Sequence, residues 1–193
     1  MKRKALLAIT GCTPKSFETY SARDKLPFAI PSDRWSDYTI EDAFALKLLI
    51  QAAELTDLDT ASKLAGAAIR QLYPLDPFAF CGDQELYVAL IRYDWPDKPD
   101  DWDARTVVAG RWQDIEPKAR ERIADIAPGV RLIGTLALPI KRIADELLNE
   151  AREFGLPEGE VHSVPEDLTG YPDWFVEEEK ARRALFSKRG DDA

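Results

Sequence analysis

The chain has 193 residues, room for one or two domains at about 150 residues each. Apolar residues make up 45% and charged residues 32%, the balance of a folded globular protein rather than a disordered one. A single histidine, His162, excludes a His-based metal cluster, and two cysteines, Cys12 and Cys81, do not make a disulfide framework.

Other classes fall away on motif grounds. No apolar run approaches the roughly 20 residues that span a bilayer. Lys2, Arg3 and Lys4 precede only a short apolar stretch before Gly11, too little for a secretory core, so a reducing, cytoplasmic setting is expected. There is no Gly-rich phosphate loop and no GxSxG elbow. No nucleophile, base and orienting group can be assembled, so an enzyme is not expected, and neither a cofactor nor a metal is implied.

In chain order, residues 3–10 (RKALLAIT) read as a short helix with Leu6, Leu7 and Ile9 as apolar candidates. Gly11 suits the position just past a helix end. Thr13 followed by Pro14 is a helix start: a hydroxyl cap, then proline at the first helical position. Residues 14–23 (PKSFETYSAR) form the second helix, with Phe17 and Tyr20 inward and Lys15, Ser16, Thr19 and Arg23 on the opposite or flanking sides. Two helices and a Gly-containing turn within about 22 residues make a helix-turn-helix pattern.

Pro27 and Pro31 exclude a helix over residues 24–38, which suit an extended excursion turning near Pro31–Asp33. Thr39 caps a third helix with Glu41 and Asp42 in its first turn. Its apolar stripe is Phe44, Leu48, Ala52 and Leu55, with Leu49 beside it. Asp59 or Thr60 starts a fourth helix, with Ala61, Leu64, Ala65, Ala68, Ile69 and Leu72 inward. Pro74 and Pro77 end it and mark a boundary near residues 73–79, dividing the chain into residues 1–73 and 79–193.

Residues 85–93 and 105–112 read as strands joined by a Pro/Asp loop. A helix over 114–127 with Ile123 and Ile126 inward, and a strand over 130–138, follow. Residues 139–154 form an amphipathic helix with Ile143, Leu147, Ala151 and Phe154 on one face, stopped by Gly155 and Pro157. A charged helix is expected from Asp173. The fold class is therefore α+β: four helices, then a small α+β part with a three-stranded or larger antiparallel or mixed sheet. The aspartates of the 94–104 loop lack the spacing of a Ca²⁺ loop and read as solvated. Trp95, Trp102 and Trp112, with Tyr87 and Tyr93, either line an apolar effector pocket or serve packing.

Charge is unevenly spread. The chain carries −9, yet residues 1–34 hold seven cations against three anions and are +4, leaving −13 for the remainder. A basic segment on an acidic chain suits phosphate binding, because neutralised phosphates release counterions.

Five blocks in order resemble the winged-helix DNA-binding domain of the MerR family of transcriptional regulators. They are the Gly11-Cys12-Thr13 turn, the Lys15-Ser16-Phe17-Glu18-Thr19-Tyr20 helix, the Leu26-Pro27 exit, Arg34-Trp35, and Tyr38-Thr39-Ile40-Glu41-Asp42. The resemblance covers residues 5–73 and implies a recognition helix in the major groove of double-stranded DNA. It implies DNA contacts from Lys4, Thr13, Lys15, Ser16, Thr19, Tyr20, Arg23 and Lys25, with Arg34 and Trp35 on the wing. Glu18 and Arg3 depart from the family pattern, and Pro74 and Pro77 fall where its long dimerisation helix would begin.

The leading expectation is a sequence-specific transcriptional regulator of MerR-like type, without that long coiled-coil helix, acting as a homodimer. The part from residue 79 onward would dimerise or take a small-molecule or protein effector. The alternatives are a phage or mobile-element DNA-binding protein, excisionase-like or small-terminase-like, and a winged helix serving as a protein-interaction module.

Overall fold

The computed structural model describes residues 1–30, 38–72, 85–94, 104–124 and 129–156. Over these the chain is an α+β protein of six helices and a three-stranded antiparallel sheet. α1 (Arg3–Thr10) buries Ala5, Leu6 and Ile9 and ends at Gly11, whose φ of 70° lies in the left-handed region that favours glycine. α2 (Pro14–Ala22) starts as its residues dictate: the Thr13 side chain accepts the Ser16 N–H at 3.0 Å, and Pro14 has no N–H to leave unsatisfied.

α3 (Ile40–Ala53) opens with a reciprocal cap. The Thr39 N–H donates to Asp42 Oδ2 at 2.9 Å and the Asp42 N–H to Thr39 Oγ1 at 3.1 Å. This helix is buried nearly all round rather than along one stripe, with Ala43, Ala45 and Leu46 as enclosed as Phe44 and Leu48. The expected stripe member Leu55 lies past the helix end and is 60% exposed. α4 (Leu58–Leu72) begins before Asp59 and Thr60, the expected starts. Asp57 is the cap: its Oδ1 accepts the Thr60 N–H at 2.9 Å and its Oδ2 the Thr60 hydroxyl at 2.7 Å.

The sheet has the order β2-β1-β3, formed by β1 (Leu86–Asp94), β2 (Ala104–Arg111) and β3 (Arg131–Pro139). Both pairings are antiparallel, Leu86 facing Arg111 on one side and Tyr87 facing Pro139 on the other, with an irregularity between Arg92 and Tyr93. The apolar run of β1 is explained by its place, since helices cover it on both faces. Leu86, Val88 and Leu90 enter the main core, while Ala89, Ile91 and Tyr93 meet Ile115 and Ala119 of α5 (Trp112–Ala124). Trp112, read as the end of a strand, instead opens α5; it is 60% exposed and makes an edge contact with Tyr87, ring centres 5.3 Å apart.

α6 (Ile140–Glu153) buries Ile140, Ile143, Ala144, Leu147, Leu148 and Ala151. Phe154, expected on the same face, caps the helix instead and is 45% exposed. α6 packs against α1 and α3, and α4 lies against β1 and β2. The buried side chains of α1 to α4 therefore form one cluster with those of β1, β3 and α6. The proline-marked boundary at 73–79, the 94–104 loop beyond Asp94, and everything from Pro157 onward, His162 and the helix expected from Asp173 included, lie outside the described residues.

Candidate nucleic-acid interface

The helix pair is anchored from below. Phe17 is the buried side chain of α2 and meets Tyr38 edge-on, ring centres 6.3 Å apart; Phe28 meets the same ring at 6.0 Å. Leu26 and Phe28, on the Leu-Pro exit, pack against the main core, as does Tyr20. Burial raises the phenol pKa of Tyr20 and of Tyr38, and the thiol pKa of Cys12, so all three stay neutral near neutral pH. Tyr20 is thus half-buried at the base of the helix.

With Phe17 inward, Lys15 and Arg23 are exposed, as is Lys4 on α1. None of the three makes an ion pair among the described residues. The hydroxyls nearby serve local structure. Thr13 and Ser16 bond to each other at 2.8 Å, and Thr19 donates to the Lys15 carbonyl at 2.9 Å. One hydroxyl of the Thr13–Ser16 pair donates to the other, which leaves the second hydrogen free for an acceptor, whereas Thr19 would have to give up the Lys15 carbonyl to donate elsewhere.

The two departures from the MerR-like pattern meet in space. Arg3 Nη2 lies 3.3 Å from Glu18 Oε1, and the Arg3 guanidinium sits 4.8 Å from the centre of the Phe17 ring. The carboxylate on α2 is thereby matched by a cation on α1, which reduces its repulsion toward a polyanion.

Lys25 is placed differently from Lys15 and Arg23. Its ammonium pairs with Asp59 at 2.9 Å, and its carbonyl accepts the Ser62 hydroxyl at 2.8 Å, tying the end of the helix pair to α4. Arg34 and Trp35 lie outside the described residues. Of the ten expected contact residues, Lys4, Lys15 and Arg23 thus present cationic groups with no ion pair among the described residues, with the hydroxyls of Thr13, Ser16 and Thr19 on the same helix start and face.

A second cationic group escaped the sequence reading. Lys63, Arg70 and Arg105 line a groove of about 620 Å³ between α4 and β2, together with Thr60, Leu90 and Val107. The seven-residue spacing of Lys63 and Arg70 on α4 was a visible signal, but nothing local ties either to Arg105 on another element. Among the described residues no three His, Cys, Asp or Glu side chains gather as metal ligands, and no helix is long and apolar enough to cross a membrane.

Compared with known proteins, the chain matches no family model and no curated protein.

Proposed function

We propose that this protein is a sequence-specific DNA-binding regulator of MerR-like type, without the long coiled-coil dimerisation helix. α2 is its recognition helix. One observation carries the reading: Lys4, Lys15 and Arg23 are exposed, and without ion pairs among the described residues, on a helix-turn-helix whose inner face is fixed to the core. Unpaired cations on a rigid element are what a phosphate backbone neutralises, and helix side chains at that surface reach base edges in the major groove. The protein works in the cytoplasm as a homodimer, because symmetry doubles the contacts of a module this small. An effector, small molecule or protein, acts through the part of the chain from residue 79 onward.

Electrophoretic mobility shifts at two salt concentrations test this reading. Binding should weaken steeply as salt rises, with a log–log slope of roughly −0.9 per neutralised phosphate. The paired variant Lys15→Ala/Arg23→Ala should bind more weakly with a slope shallower by about 2. A salt-independent complex, or one that the paired variant leaves intact, would refute it.

A further inference from the structure

We propose that the groove between α4 and β2 is a phosphate-binding site. Its volume of about 620 Å³ is the size of a small-ligand pocket, for which about 300–1,000 Å³ is usual. Lys63 and Arg70 stand two turns apart on α4 and so share a face. Arg105 reaches the groove from β2 and donates to Thr60 Oγ1 at 2.9 Å, which holds its guanidinium against the wall instead of free in solvent.

The two carboxylates that line the groove among the described residues, Asp57 and Asp59, already have partners. Both oxygens of Asp57 accept from Thr60, which draws its carboxyl down to about 2 and keeps it ionised. Asp59 is paired with Lys25. Among the described residues Lys63 and Arg70 make no ion pair, and Arg70 lies back along its helix, Nη1 3.7 Å from where a Cβ on Gly66 would stand. Among the described lining residues, Lys63 and Arg70 thus add positive charge that no ion pair offsets, in a chain whose overall charge is −9.

Two guanidinium groups and an ammonium lining one groove match a phosphate, because planar N–H forks bind its oxygens in pairs. The floor adds a second requirement. Leu90 and Val107 are apolar, so the groove favours a phosphate ester with an organic part over a bare ion.

That ester has two sources. The mouth adjoins the end of the helix pair, where Ser62, next to Lys63, bonds the Lys25 carbonyl. A duplex lying on α2 would bring backbone phosphates there, an arm that rests on the DNA-binding reading. A free nucleotide would not need it.

The test uses the full chain and two probes, AMP by calorimetry at fixed ionic strength and a duplex by mobility shift. The variant is Lys63→Ala/Arg70→Ala, with circular dichroism to confirm the fold; Arg105→Gln is a second, independent change. If the source is a free ester, AMP binds the wild type and about tenfold or more weakly to the variants, while duplex binding is unchanged. If the source is the duplex, AMP fails to bind and the variants lose duplex affinity with a shallower salt slope. Variants that change neither overturn the site. Should Lys15→Ala/Arg23→Ala leave duplex binding intact, the DNA reading fails while the AMP result still decides the groove.

Discussion

α2 and α6 handle charge in opposite ways. α6 buries six side chains and pairs charges along its first turns: Lys141 with Asp145 at 2.8 Å and Arg142 with Glu146 at 3.0 Å, each one turn apart. α2 buries Phe17 alone, and the residue one turn on from Lys15 is Thr19, which offers no carboxylate. Its one acid, Glu18, is matched from outside by Arg3. A charged face that neutralises itself needs only water, whereas a face of unpaired cations projects its field outward. The difference separates a helix that builds the core with one whole face from one that is fixed to it by a single side chain.

The largest effect should come from the core side. Leu147→Ala removes a fully buried side chain of α6 and should cost about 2–5 kcal/mol in urea unfolding. Because α1, α3 and α6 share one cluster, near- and far-ultraviolet signals should still fall together in one transition. Two separated transitions would divide the protein into independent halves and weaken the comparison.

Next in size, Gly11→Ala strains the turn that sets α2 against α1. A Cβ there meets no atom within 4 Å, so the cost is one of backbone conformation alone, about 1–2 kcal/mol at φ 70°. Duplex binding should fall further than stability does, since the angle between the helices changes; equal loss would make the turn merely structural.

Asp57 gives a pH-dependent effect. Hydrogen bonds from the Thr60 hydroxyl and N–H hold its carboxyl down to about 2 in the folded chain. A carboxyl lowered on folding stabilises the protein above its unfolded pKa, near 4, and that contribution is lost as pH falls from about 4 to about 2. In acid unfolding, Asp57→Asn should be less stable than the wild type at neutral pH, and the gap should close over that interval. A gap constant with pH would contradict the cap.

The smallest effect belongs to Glu18→Gln. Its pair with Arg3 is exposed and is worth under about 1 kcal/mol to folding. Duplex affinity should rise slightly as α2 loses its anion; a fall would mean that Glu18 reads a base.

Much of this architecture is written locally. Thr13-Pro14, Thr39 with Asp42, and Gly11 each act within a few residues, and each helix boundary they signal is found. The three strands fall within a residue of their expected places, because β1 reads as a continuous apolar run only if covered on both faces. Periodicity fails where it is extended past a helix end: Leu55 and Phe154 keep the right spacing but lie beyond the last turn and face water. Asp57, Asp59 and Thr60 are all acceptable caps, and only the geometry selects the first. The Arg3–Glu18 match and the place of Arg105 beside Lys63 and Arg70 depend on separate elements, so the local spacing of Lys63 and Arg70 alone could not reveal the groove.

Selection of bound duplexes from a random pool by the full chain tests the central claim most directly, run beside the Lys15→Ala/Arg23→Ala variant. The wild type should enrich one inverted repeat that the variant does not. No enrichment, or the same repeat enriched by both proteins, would contradict the assignment of α2 as the reading helix.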